Sequence, residues 1–201
     1  MEKQILSLFL FNNKLKFNEV EKLLGVRSNK LDYHLKKLIK EGILEKVKEH
    51  YRLTETAEHL IPYISEKKSI LPVILVKIGN EKEVFLHSRE KRPYKGKLSL
   101  PGGRILFGED ISDATERIML EKHNIKVKFE RIESVSLENI YKKNKLVHSF
   151  FLILVSAKEK QKISKQNVEK SKKKMIESDY KLIKQKTPSG ITIKKIKSEV
   201  E

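Results

Sequence analysis

Residues 100–125 read LPGGRILFGEDISDATERIMLEKHNI, a loop carrying Gly102 and Gly103 that runs into a charged helix. Glu109 stands in the loop, and Arg117 and Glu121 stand on the helix, which are the residue types of a catalytic motif. Ile118 and Lys122 interrupt the carboxylates such a motif needs. The stretch therefore reads as a catalytic pattern with several positions overwritten.

Outward from it the chain divides into two blocks. From Ser69 the apolar runs are strand-like, as in SILPVILVKIG, EVFLHS and HSFFLILVSA. From Met1 to Ile64 the pattern is helical with one short hairpin. The expected organisation is a domain over 1–64, a linker over 65–69 within SEKKS, a second domain over 70–186 and a basic tail over 187–201. VEKSKKKMIESDYKLIKQ reads as one amphipathic helix with Val168, Met175, Ile176 and Ile183 packing inward.

Composition agrees with two small domains: 201 residues, 38% of them hydrophobic and 7% aromatic, bury two modest cores. Cysteine is absent, which excludes disulfides and thiolate metal sites. The N-terminal apolar run is too short to span a bilayer and lacks a cleavage site, so a cytoplasmic protein without a membrane partner is expected. The formal charge of +17 suggests a polyanionic partner, because Lys and Arg gain affinity for phosphates by releasing counterions. Solvated lysine faces give the same count, and the run around Lys172, Lys173 and Lys174 is open to that reading.

In the first block Ile5, Leu8 and Phe9 form a helical stripe. Asn18 is expected to cap a second helix, with Glu21 reaching back and Val20, Leu23 and Leu24 inside. A third helix, from Ser28 to Glu41, places Leu31, Leu35, Leu38 and Ile39 on one face. Its opposite face carries Asn29, Lys30, Tyr33, Lys36, Lys37 and Lys40. Two strands follow, turning near Glu49 and His50, and then a fourth helix from Thr54. The segment SNKLDYHLKKLIKEGILEKVKEHYRLTETA resembles the winged helix-turn-helix regulators of archaea and bacteria, the ArsR and MarR groups, whose third helix enters the major groove. Asn29, Lys30 and Tyr33 suit base edges, while Arg27, Lys36, Lys37 and Lys40, with Lys46, Lys48 and Arg52 on the hairpin, suit phosphates. A winged helix used only for protein contacts is the alternative.

In the second block Gly103, Glu109, Arg117, Met119, Glu121 and Ile125 fall in register with the Nudix signature, which this segment resembles. KLSLPGG is similar to the strand leading into its loop, with Leu98 where many members have Trp, and Gly108 and Ala114 also match its flanks. The resemblance implies an α/β/α sandwich around a mixed sheet, giving an α+β two-domain chain. It also implies Mg²⁺ held by helix carboxylates and hydrolysis of a diphosphate linkage. Ile118 and Lys122 stand where that family has glutamates, and Asn124 where it has a helix-ending glycine. Lys122 either contacts a ligand phosphate directly or lies on the solvated edge beside Glu121.

Together the blocks resemble in logic the NrtR regulators, in which a Nudix-like domain senses a nucleotide-sugar metabolite, although the domain order is reversed here. The expected protein is a homodimeric transcription regulator of duplex DNA. Its Nudix-like domain senses a nucleotide-type ligand through Gly102, Gly103, Arg104, Arg117, Glu121 and Lys122, or serves as a dimerisation scaffold. The alternative is a Mg²⁺-dependent hydrolase built on Glu121, Glu109 and Arg117, with further carboxylates from Glu116, Glu133 or Glu138. The basic loop REKRPYKGK, Arg89–Lys97, could grip a nucleotide phosphate or be solvated. His34, His50, His59, His87, His123 and His148 show no metal-ligand spacing.

Overall fold

A computed structural model describes residues 1–64 and 69–185. The chain forms two compact units, Met1–Ser69 and Ile70–Glu201. Residues 65–68 of the expected linker and the expected tail over 187–201 lie outside the described residues.

The first unit runs α1 (Glu2–Leu8), β1 (Leu15–Lys16), α2 (Phe17–Leu24), α3 (Ser28–Lys40), β2 (Leu44–Val47), β3 (His50–Leu53) and a 3-10 segment, Glu55–Tyr63. Its three strands are antiparallel in the order β1-β3-β2. Ile5, Phe9, Val20, Leu31, Leu35, Leu38, Leu44 and Tyr51 close one core beneath them. Two expected inner residues lie outside it: Leu23 is 57% exposed and Ile39 36%. At 100° per residue Ile39 stands roughly 80° from Leu31, and Leu23 roughly 100° from the direction of Leu24, so each leaves its stripe. The second helix opens two residues before the expected Asn18, since β1 pins Lys16 against β3 and Glu19 accepts the Lys16 N–H at 2.6 Å. The expected fourth helix is a 3-10 segment with Pro62 in its last turn, where it supplies no N–H.

The second unit is built on a sheet of order β8-β4-β10-β9, with β4 (Leu71–Lys77), β8 (Gly102–Gly103), β9 (Val127–Lys142) and β10 (Lys145–Glu159). β4 and β10 are parallel and the other neighbours antiparallel, so the sheet is mixed. Alternation divides the core in two. Ile74, Val76, Ile153 and Val155 face Ala114, Ile118 and Met119 of α4 (Ile111–His123). Leu75, Leu152 and Leu154 face Val168, Met175, Leu182 and Ile183 on the other side. Both faces are covered, which is why these strands read as unbroken apolar runs. Short pairs β5 (Glu83–Val84) with β11 (Gln166–Asn167), and β6 (His87–Ser88) with β7 (Leu98–Ser99), edge the sheet.

The expected long C-terminal helix is three pieces: α5 (Val168–Ser171), a 3-10 turn (Lys172–Lys174) and α6 (Glu177–Lys184). Met175 is extended and bridges to Leu98, which interrupts the helix while keeping Val168, Met175, Ile176 and Ile183 buried. Asn124 ends α4 in the left-handed conformation, at φ 52°.

Candidate functional site

In the second unit the loop from Gly102 to Glu109 is strapped to α4 by two cationic side chains. Arg117 donates to Arg104 O at 2.9 Å and forms two bonds with Glu109, one of them at 2.8 Å. It reaches Glu121 at only 3.3 Å. Glu109 also accepts the Leu106 N–H at 2.8 Å, and the guanidinium holds its carboxyl below the usual carboxylate range. Five residues further along the helix, Lys122 Nζ donates to Gly102 O at 2.5 Å. Between the straps Ile118 is fully buried under Gly103. A Cβ on Gly103 would stand 2.8 Å from Ile118 Cγ1 and 3.0 Å from Lys122 Nζ, so glycine is required for this approach.

Lys122 thus has a third placement beside the two the sequence left open: its ammonium bonds the loop backbone. Loss of hydration lowers its pKa first, and the facing charges of Arg117, Lys91 and Arg89 lower it further. Next to it the rings of His87 and His123 meet edge to face at 4.7 Å. His123 Nε2 is buried without a hydrogen-bond partner, and desolvation, with His87 and Lys122 adding repulsion, carries its pKa down to about 4. His87 is lowered too, chiefly by burial. Both rings are therefore neutral at physiological pH.

The family's Mg²⁺ can be tested against this donor set, and the residues do not fit it. Glu109 is committed to Arg117, Ile118 is apolar and buried, and an ammonium stands where the second glutamate of the helix pair would be. Glu133, a possible substitute, is buried against Lys77. Among the described residues no three His, Asp or Glu side chains gather as metal ligands. Glu121 alone of the motif carboxylates is well exposed, at 59%.

Sequence reading missed two neighbours of this site, His87 and Asp179, and offered Arg89 as part of a phosphate-gripping loop. His87 and Arg89 arrive from β6 and the loop after it. Asp179, at the start of α6, is 3% exposed and accepts the Leu100 N–H at 2.8 Å. Burial raises the Asp179 carboxyl to about 6. The Arg89 side chain folds onto its own loop, donating to Pro93 O at 2.6 Å.

On α3 of the first unit, Asn29, Lys30, Tyr33, Lys36 and Lys40 are exposed, as are Arg27 before it and Lys48 and Arg52 on the hairpin. They differ in engagement. Lys36 pairs with Asp32 at 2.7 Å and Arg52 with Glu45 at 2.6 Å. Lys37 turns from the outer face to bond Glu2 of α1 at 2.7 Å. Among the described residues Arg27, Lys30, Lys40 and Lys48 form no ion pair.

No family model and no curated protein matches the chain. Solved structures similar to it include Nudix hydrolases. A Nudix hydrolase from Nitrosomonas europaea is 22% identical at a TM-score of 0.38, over 51% of this chain and 53% of that one, so this chain spans about half its length. The MutT protein of Bacillus halodurans is 20% identical at 0.46, over 58% of this chain and 81% of that one. A MutT Nudix hydrolase from Burkholderia pseudomallei is 16% identical at 0.47, over 60% of this chain and all of that one. The likeness is to a Nudix hydrolase-like outline, and the chemistry rests on the residues above. Among the described residues no helix is long and apolar enough to cross a membrane.

Proposed function

We propose that this protein is a DNA-binding transcription regulator whose second unit, a Nudix-like domain, takes an anionic nucleotide-type ligand and does not hydrolyse it by metal catalysis. The observation that carries the DNA-binding half is the outer face of α3. Leu31, Leu35 and Leu38 anchor the helix from below, and Asn29, Lys30, Tyr33 and Lys40 stand exposed above. The order helix, strand, helix, helix, hairpin, with β3 central in a three-stranded sheet, agrees with the order expected of a winged helix-turn-helix, which supports placing α3 in the major groove. Docking as a homodimer on a two-fold site completes the reading.

For the second unit the support is electrostatic. Lys122 feels the positive charge of Arg117, Lys91 and Arg89 more than the negative charge of Glu121, which supports a phosphate over a divalent cation beside the Gly102–Gly103 loop. Metal-dependent hydrolysis is the second reading, favoured by Glu109, Arg117 and Glu121 standing in register and by the exposure of Glu121.

The test is duplex binding by the full chain over a salt series, with Asn29→Ala and Tyr33→Ala expected to relax sequence preference and Lys30→Gln with Lys40→Gln to weaken all duplexes alike. Absence of salt-dependent duplex binding overturns the regulator. Turnover of ADP-ribose, dinucleoside polyphosphates or nucleoside triphosphates with Mg²⁺, abolished by Glu121→Gln, replaces the sensing half with the hydrolase.

A further inference from the structure

A second concentration of cations lies on the second unit, where the end of the Arg89–Lys97 loop meets the Lys172–Lys174 turn. Lys95, Gly96, Lys97 and Leu98 meet Lys170, Lys173 and Lys174 around an open concavity of about 590 Å³. Its remaining lining, Gln166 and Ser171, is uncharged, so five lysines and no acidic residue line the space. Some lysines elsewhere are paired: Lys16, Lys36, Lys37, Lys77, Lys165, Lys181 and Lys184 each meet an acid. Among the described residues none of these five does. Lys172, of the same run, is turned aside over the Tyr180 ring at 4.7 Å.

The two contributing segments are far apart in sequence and firmly joined in the fold. Leu98 bridges Met175, Ile176 N–H donates to Leu98 O at 2.9 Å, and Lys97 Nζ donates to Lys173 O at 3.3 Å. Met175 and Ile176 are buried, so the backbone presenting the lysines is anchored in the core. Like charges gathered on a fixed scaffold repel one another, and a multivalent anion relieves that repulsion. The lining holds no aromatic ring to stack a base and no acid to read one, so the chemistry recognised is a run of phosphates.

We infer that the concavity between residues 95–98 and 170–174 is an oligophosphate-binding site, separate from both the outer face of α3 and the Gly102–Lys122 loop. The ligand's phosphates are either a free or terminal oligophosphate or the backbone of a nucleic acid, and the arms of the experiment separate these.

The probes are inorganic tripolyphosphate and a random-sequence duplex, titrated calorimetrically into the full chain at low and high salt. Tripolyphosphate is expected to bind, to keep its affinity in Lys122→Met, which tests the Gly102–Lys122 loop, and to weaken as salt rises. The combined variant Lys95→Gln, Lys97→Gln, Lys173→Gln, Lys174→Gln is expected to lower its affinity at least tenfold with an unchanged thermal melt. A control neutralising the exposed Lys126, Lys128, Lys142 and Lys143 is expected to leave affinity within twofold. Displacement of tripolyphosphate by duplex identifies a nucleic-acid backbone, and its persistence with duplex bound identifies a free or terminal oligophosphate. Lys30→Gln with Lys40→Gln, which tests α3, should leave tripolyphosphate binding intact, so the two readings fail separately. No saturable binding at low salt, or equal losses in the two four-lysine variants, overturns the site.

Discussion

Asp179→Asn tests how the second unit holds its Gly102–Gly103 loop. Asp179 accepts the Leu100 N–H at 2.8 Å from a position 3% exposed, and burial lifts its pKa from 3.8 to about 6. The Leu100 N–H, Ser99 and Arg89 pull the value down, Glu138 pushes it up, and desolvation outweighs them. Between those two pH values the folded chain keeps a proton that the unfolded chain has released. The stability contributed by this carboxyl is therefore complete below pH 3.8 and is lost as pH rises through 6. A shift of roughly two units corresponds to a cost of about 3 kcal/mol at neutral pH. Asparagine keeps an oxygen for the Leu100 N–H and removes the charge. The variant should match the parent near pH 4 and exceed it at pH 8 by up to about 3 kcal/mol. Because two units need not melt together, the assay is amide exchange at Leu100 and neighbouring core amides of that unit, alongside the carboxyl-carbon titration of Asp179. A titration midpoint at or below pH 4, or no gain in exchange protection at pH 8, refutes the reasoning.

Ile118→Glu restores a motif carboxylate but places it where the parent side chain is fully buried, so the second unit should lose at least about 3 kcal/mol, read from its thermal transition. A stable, metal-binding Ile118→Glu protein would show that the position opens to solvent. Lys40→Gln should weaken duplex binding and reduce its salt slope by about one, whereas Lys37→Gln, whose ammonium is occupied by Glu2, should change duplex affinity little and slightly lower the melt of the first unit. Equal effects on affinity would return Lys37 to the DNA face. For a nucleotide found by thermal shift, Lys122→Met should cut affinity about tenfold. Operator DNA should change that affinity by the same factor as the nucleotide changes DNA affinity, and calorimetric independence of the two would remove allosteric control by that ligand.

Local patterns were legible in the sequence and long-range ones were not. Glu109, Arg117 and Glu121 meet through contacts four and eight residues apart, distances a motif encodes. The Lys122 bond to Gly102 and the Asp179 bond to Leu100 cross 20 and 79 residues, and no spacing announces them. The apolar runs of β4 and β10 were plain because both faces are covered. Strand β9 escaped notice: register shifts near Leu146, Leu154 and Ser156 disturb its pairing with β10, and charged residues such as Glu130, Arg131 and Glu133 break its alternation. The failed C-terminal helix has a similar cause. Its periodicity is real, and the Met175 bridge to Leu98 overrides it.

The sequence charge of +17 does not say how many phosphates the protein holds, and the structure narrows the count. On the outer face of α3 and its flanks, Arg27, Lys30, Lys40 and Lys48 are exposed and without ion pairs among the described residues, while Lys36, Lys37 and Arg52 have acidic partners. Four cations on four phosphates give a slope of log affinity against log salt of roughly −4. If the five lysines around the 590 Å³ concavity join the same duplex, the slope steepens to roughly −8. A nonspecific duplex measured between 50 and 200 mM salt separates these values, and the four-lysine variant at the concavity supplies the check. A slope near −8 that falls toward −4 in that variant assigns both surfaces to DNA. One that stays near −4 in both proteins confines DNA to α3 and leaves the concavity to a separate oligophosphate. A slope near −8 that the variant leaves unchanged would mean that cations counted here as paired exchange their acids for phosphates on binding, and the count from ion pairs would be wrong.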